Sequence, residues 1–113
     1  MANPETPDPK LIKEILEPLL EDFQYWFSRS QHLLENENIS FLGEQEQADL
    51  LARVVQAQQE VSATQMMTRV LDGRAGVEMS VLAPWHQLLT ECARVGMRFR
   101  AERSNSSPTS DAN

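Results

Sequence analysis

An apolar stripe between Val81 and Phe99 constrains the fold of this chain more than any other feature. Its members step by four, three, four, three and four residues, which places them on one face of a helix advancing about 100° per residue. The stripe consists of Val81, Trp85, Leu88, Cys92, Val95 and Phe99. An uncharged second line on the adjoining side consists of His86, Thr90, Ala93 and Met97. The two lines predict a helix that contacts neighbours on two sides.

The composition favours an all-α protein built as one domain. The chain has 113 residues, which suits a single modest core, and only 6% of them are aromatic. Four Gly leave little room for β-hairpins, whereas the many Ala, Leu, Glu, Gln, Arg and Met residues favour helices. The single Cys excludes an internal disulfide and a Cys-rich metal site.

Neither a membrane-spanning segment nor a secretory signal is predicted. The sequence has no run of about 18 apolar residues, and no basic segment at its N-terminus is followed by an apolar stretch. We therefore expect a cytoplasmic protein without an integral membrane segment.

The net charge of −7 argues against nucleic acid as a partner. Residues 1–50 carry eleven acids against three bases, and residues 51–113 carry six acids against seven bases. An acidic domain repels phosphate backbones. The late arginines, Arg94, Arg98, Arg100 and Arg103, are explained more simply by the helix dipole and by solubility.

Helix one is predicted from Pro9 to about Glu35. Asp8 can serve as its N-cap, and Pro9 suits the first helical position because its missing N–H costs nothing there. Pro18 projects away from the apolar side, so we expect one kinked helix, with two abutting helices as the alternative. The apolar residues fall within an arc of about 140°. They are Ile12, Ile15, Leu16, Leu19, Leu20, Phe23, Trp26, Phe27, Leu33 and Leu34.

Helix two is predicted from Gly43, its N-cap, to about Leu71, where Asp72 and Gly73 stop it. Residues of the preceding loop expected to tuck onto the core are Ile39, Phe41 and Leu42. The core stripe of helix two consists of Leu50, Val54, Ala57 and Val61, continued by Thr64 and Thr68. This face therefore becomes small and polar toward the C-terminal end of the helix.

The start of helix three is ambiguous, because Ser80 could cap it and Pro84 could be either its first residue or a kink. After Phe99 the apolar pattern ends. We divide the chain into a flexible leader at 1–8, a helical bundle domain at 9–103 and a disordered tail at 104–113. The predicted fold class is all-α, an antiparallel three-helix bundle with a kinked first helix and disordered termini.

The aromatic residues are predicted to fill the core, with one exception. Trp26 and Trp85 are expected to anchor it, and Phe23 and Phe27 share the apolar side of helix one with Trp26. Tyr25 points to the polar side. It is the aromatic residue predicted to be available to a partner.

No catalytic, cofactor or metal site is predicted. His86 and Cys92 could form an imidazole and thiol pair, but on one helix they differ by about 120° in direction and about 9 Å in rise. Cys92 in the apolar stripe is typical of a small buried hydrophobe. His32 and Glu35 have the spacing of metal ligands in helical bundles, but they lie on the polar side without a second such pair.

The back of helix two is the predicted interaction surface. A weakly apolar line runs nearly opposite the core stripe, although a helix in a three-helix bundle needs only two neighbouring contact faces. The candidate interface residues are Ala52, Val55, Gln59, Ala63, Met66 and Val70. Small residues with a flexible Met suit close contact with a partner protein or a second copy of the chain. The alternative is that Ala and Gln are simply good helix formers on a surface.

Three tracts carry unusual combinations of residues: EDFQYWFSRSQHLLE, FLGEQEQADLLARVVQAQQEVSA and VLAPWHQLLTECARVGMRFR. They cover most of residues 18–100. Together they resemble a family of small cyanobacterial proteins that is catalogued only as a domain of unknown function. The resemblance implies an oxygenic photosynthetic bacterium as the source, and it supplies no activity and no functional residues.

We expect a non-catalytic protein–protein interaction or adaptor module, without a cofactor. The resemblance suggests the photosynthetic apparatus or its regulation as the setting. The alternative is a small ligand-binding protein or enzyme that uses the region of Trp85 and His86. A pocket holding His86 beside a convergent carboxylate would favour that alternative.

Overall fold

The computed structural model describes residues 9–70 and 79–106. They form three helices, α1 (Pro9–Asn36), α2 (Glu44–Val70) and α3 (Met79–Ser106), and no strand occurs within these ranges. The predicted all-α class and three-helix bundle are confirmed. No helix in these two ranges combines the length and the apolar character needed to cross a membrane.

The side-chain contacts give the directions of the helices. Residue numbers fall along α2 as they rise along α1, so these helices run antiparallel, with the pairs Gln24–Ser62, Ser28–Gln58 and Leu34–Gln47. Numbers rise together in α1 and α3, as in the pairs Phe23–Trp85 and Ser30–Cys92. The helices therefore run up, down and up. α1 and α2 share the most extensive packing, and α2 and α3 the sparsest.

The core lies between α1 and the facing sides of α2 and α3. Its buried apolar residues are Leu16, Leu20, Phe23, Phe27, Leu34, Ile39, Leu50, Val54, Ala57, Val61, Leu82, Trp85, Leu88 and Cys92. Ile39 is fully buried, and the partly buried Phe41 and Leu42 pack beside it, so the α1–α2 loop closes one end of the core as predicted. Thr68 is also buried, which confirms the polar end of the α2 core face.

Helix boundaries follow local signals closely. α1 continues unbroken through the exposed Pro18, which excludes two abutting helices. The Gly43 carbonyl accepts a 2.9 Å bond from the Gln47 amide, and the Gly43 amide donates to Glu46 Oε1 at 2.9 Å. Gly43 is therefore the N-cap of α2, and the Glu46 side chain supplies one half of a capping box by accepting the Gly43 amide. Pro84 lies inside α3 and is not its first residue.

The end of α3 differs from the expected boundary. The helix continues through Ser106, so residues 104–106, assigned to the tail from sequence, are helical. An ion pair of 3.0 Å between Arg98 and Glu102 supports this last stretch, and Arg103 reaches Glu37 at 3.8 Å. Extending an existing helix is easier than starting one, so residues of modest helix propensity can continue its last turn. The leader, the rest of the tail, Asp8, and the stop at Asp72 and Gly73 fall outside the described residues.

The prediction that Trp26 anchors the core is wrong. Its side chain is 47% exposed, and two other members of the predicted arc, Ile15 and Leu19, are 62% and 37% exposed. The buried members of the arc span only about 60° of the helix surface, and the exposed members lie about 90° to one side of them. The two neighbouring helices cover only one half of a wide apolar arc. Val81 at the start of α3 is also exposed, at the edge of its stripe.

Candidate functional site

The six candidate interface residues define the outer face of α2, most of which turns away from α1 and α3; Ala52 at its edge also lines a groove beside α3. Met66 and Val70 are 63% and 73% exposed, more than the other large apolar side chains of this helix. The smaller residues Ala52, Gln59 and Ala63 are also exposed, whereas Val55 is half-buried. None of the six residues carries a charge.

Polar contacts fix the flank of α2 that faces α1. The side-chain amide nitrogen of Gln24 donates to the Gln58 carbonyl at 3.1 Å and to Ser62 Oγ at 2.7 Å. It also lies 3.3 Å from Gln65 Oε1. Gln58 in turn donates to Ser28 Oγ at 3.4 Å. These bonds agree with the rotation of α2 that burial of Leu50, Val54, Ala57 and Val61 imposes, and this rotation turns the outer face to solvent.

A charged pair fixes the flank of α2 that faces α3. Arg53 donates two hydrogen bonds to the Glu91 carboxylate, one of them at 3.2 Å. The hydrogen bond from Arg53 lowers the pKa of Glu91, and the same bond raises the pKa of Arg53. Both side chains are about half exposed, at 53% and 47%, so the pair contributes at most about 1 kcal/mol. About two turns further along α2, Trp85 of α3 donates its indole N–H to the Glu60 carboxylate at 2.9 Å.

An open groove of about 520 Å³ lies between α2 and α3, where these helices pack sparsely. Its apolar lining consists of Ala52, Ala57, Pro84, Trp85 and Leu88. Its polar lining consists of Arg53, Gln56, Glu60, Gln87 and Glu91. The groove thus offers the carboxylates that a ligand site in this region requires, but His86 is not among the residues that line it. Trp85 is only 2% exposed, so most of its ring belongs to the core.

Neither residue pair considered from the sequence, His86 with Cys92 or His32 with Glu35, forms a catalytic or metal-binding arrangement in the structure. Cys92 is buried in the core, whereas His86 is exposed. Burial raises the pKa of the Cys92 thiol, and a hydrogen bond with Ser30 opposes this shift. His32 bonds to Asn36, and Glu35 accepts from Gln31. Within residues 9–70 and 79–106 no group of three His, Cys, Asp or Glu side chains could hold a metal ion.

We expect the Cys92 thiol to react slowly in the folded protein. A thiol reagent at neutral pH should label native protein at least roughly tenfold more slowly than protein in denaturant, because the buried thiol must first become exposed and its raised pKa suppresses the reactive thiolate. The measurement is the rate of modification followed by mass. Equal rates in the two states would place the thiol on the surface.

An exposed aromatic cluster lies on α1 around Arg29. Tyr25 and Trp26 meet edge to face with ring centroids 4.9 Å apart. The Arg29 guanidinium lies 5.8 Å from the centroid of each ring, and its Nη1 donates to the Tyr25 hydroxyl at 3.0 Å. Tyr25 is 52% exposed, as predicted. The sequence reasoning missed the partnership of this residue with an exposed Trp26.

Gln47 was also missed. Its side chain ties the start of α2 to the end of α1: the amide nitrogen donates to the carbonyls of Leu34 and Glu37, each at 2.8 Å. Its Oε1 accepts the backbone N–H of Ile39 at 3.1 Å. A glutamine in the first turn of a helix that follows a short loop is the signal that could have suggested this role, because unpaired backbone groups concentrate there.

Comparison with known proteins identifies a family whose description names no activity. A family model described as "Protein of unknown function (DUF2605)" matches residues 6–101. No curated protein and no solved structure matches the chain with significance. The matched residues include all three tracts quoted from the sequence.

Proposed function

Because the chain belongs to the DUF2605 family, whose description assigns no activity, we propose a function from the surfaces of the bundle. The protein is a non-catalytic interaction or adaptor module. It binds another protein through the outer face of α2.

The exposure of Met66 and Val70 supports this proposal most directly. Ala and Gln favour an exposed helix by their own propensity, but Val does not, and an exposed Val70 gains nothing from the bundle. The outer face from Ala52 to Val70 extends for about 27 Å at 1.5 Å per residue. An uncharged line of this length with a flexible Met suits contact with another helix.

The contacts on both flanks of α2 strengthen the proposal. Gln24 of α1 bonds one side of the helix, and Glu91 and Trp85 of α3 bond the other. The outer face is therefore held toward solvent by the fold itself. It does not depend on a chance rotation of α2.

The partner class is a protein. An acidic chain with 17 Asp and Glu against 10 Lys and Arg repels nucleic acid. The proposed setting is the cytoplasm of a cyanobacterium, at the photosynthetic apparatus or its regulation. That setting rests on the resemblance of the three sequence tracts to a cyanobacterial family.

A double substitution tests the outer face. Ala63→Glu combined with Met66→Glu should reduce recovery of native partners by tenfold or more, because it places two charges in an uncharged contact. Both positions are exposed, so the helical circular dichroism signal should not change. The measurement is affinity isolation from the source organism, read by mass spectrometry.

Met97→Glu is the matched control, since Met97 is 62% exposed and lies on α3. It should leave the recovered proteins unchanged. An unchanged set of proteins with the double variant, or an equal loss with the control, would remove the support for the outer face of α2.

A further inference from the structure

A second surface lies on α1, along the half of its apolar arc that the bundle leaves largely uncovered; only its last member, Leu33, is partly buried against the core. Ile15, Leu19 and Trp26 are large, apolar and 37% to 62% exposed. Together with intervening residues they follow alternating steps of four and three, the spacing of a helix-pairing seam. We call this set the α1 seam; it consists of Ile15, Leu19, Asp22, Trp26, Arg29 and Leu33.

The α1 seam is nearly symmetric about Trp26. Leu19 and Leu33 stand seven residues before and after it, and Asp22 and Arg29 stand four before and three after. The two apolar residues match each other, and the two charges are opposite. A surface with this pattern is complementary to a copy of itself that runs in the reverse direction.

We propose that the α1 seam is a homodimer interface, in which two copies of α1 pack antiparallel about a two-fold axis at Trp26. Leu19 of each copy then lies opposite Leu33 of the other. Each Asp22 lies opposite residue 30 of the other copy, next to Arg29. A parallel pair would instead place Asp22 against Asp22 and Arg29 against Arg29, and like charges in contact are unfavourable. Charge complementarity therefore selects the antiparallel arrangement.

The aromatic cluster of Tyr25, Trp26 and Arg29 lies at the centre of this interface, with its side chains already held in place. Arg29 already holds Tyr25 through a 3.0 Å bond and lies over Tyr25 and Trp26. A guanidinium has five N–H donors, so Arg29 keeps donors for the carboxylate of Asp22 from the second copy. Trp, Tyr and Arg are the residues that contribute most to protein interfaces. Here all three are held together on an exposed helix face.

The α1 seam is separate from the outer face of α2. Gln24 and Ser28, which bond α2, lie about 160° around α1 from Trp26. A second copy on the α1 seam therefore leaves the outer face of α2 open, and the two proposals can fail independently. A dimer would present two outer faces of α2 to partners.

Charge reversal tests both the dimer and its direction. Wild-type protein should sediment as a dimer that dissociates on dilution. Asp22→Arg alone and Arg29→Asp alone should each be monomeric, because each places like charges opposite one another twice. An equimolar mixture of the two variants should recover the dimer, since one chain then carries arginine at both positions and the other carries aspartate at both.

Glu21→Arg is the matched control, an exposed acid next to Asp22 that points about 100° away from it. It should remain dimeric, as should the Ala63→Glu and Met66→Glu double variant. Wild-type protein that stays monomeric at every concentration would overturn the proposal, and so would single variants that still dimerise. A mixture that stays monomeric would overturn the antiparallel register.

Discussion

Replacing Trp85 with Ala is expected to lower the free energy of unfolding by about 3 to 5 kcal/mol. The side chain is 2% exposed, and its ring meets Phe23 edge to face with centroids 5.7 Å apart. Its removal leaves a cavity where α1 and α3 meet and takes the indole donor from Glu60. Because small domains have about 5 to 15 kcal/mol of total stability, this variant should unfold at a much lower urea concentration.

Trp26→Ala is the matched comparison for Trp85→Ala. Trp26 is 47% exposed, so the same change of residue should cost only about 1 kcal/mol. Both variants are to be measured by urea unfolding at protein concentrations where the wild type is monomeric, so that self-association does not contribute to the difference. Equal losses of unfolding free energy for the two variants would mean that the side of α1 carrying Trp26 is buried as fully as Trp85.

Replacing Gln47 with Ala is expected to lower the free energy of unfolding by about 2 to 4 kcal/mol. The side chain makes three hydrogen bonds to backbone groups of the α1–α2 connection. Each is worth about 1 kcal/mol, and partly buried groups that lose their partner add a further penalty. The carbonyls of Leu34 and Glu37 and the amide of Ile39 would all lose this partner.

Gln45→Ala is the control for Gln47→Ala, because Gln45 has the same side chain, two residues earlier on α2. It donates to Asp49 on the exposed surface at 2.7 Å. Its loss should change the stability by less than about 0.5 kcal/mol. A Gln47→Ala variant as stable as Gln45→Ala would show that water replaces these three bonds without cost.

The parts of the fold that depend on neighbouring residues in the chain were predictable. Gly43 as an N-cap, the burial of Cys92 and the continuity of α1 through Pro18 each follow from spacing or backbone chemistry within a few residues. The burial of Ile39 also followed from the three apolar residues in the short loop between α1 and α2. These features reappear in the structure because the core contacts of Cys92 and Ile39 agree with the local pattern.

Trp26 could not be distinguished from Phe23 and Phe27 by sequence, because all three lie within one apolar arc. Which half of that arc becomes buried depends on where α2 and α3 cross α1, and periodicity does not encode that position. The same limit applies to the groove beside Trp85, which depends on how far α2 and α3 separate. Gln47 was missed because its position in the first turn of α2 is the one sequence signal for its role, and its backbone partners in another segment are marked by no residue type.

The sparse packing between α2 and α3 has a consequence for how the molecule opens. α1 and α2 form a hairpin of near-neighbour contacts around a short loop, which is the kind of unit that forms fast and exchanges its amide hydrogens last. α3 is attached to this hairpin chiefly through α1, so it can detach as a cooperative unit at a lower free energy than global unfolding. Cys92 lies on the surface that such detachment would uncover. The rate at which the Cys92 thiol is modified therefore reports the detachment of α3. The backbone amides of α3 should exchange their hydrogens before those of the α1–α2 hairpin.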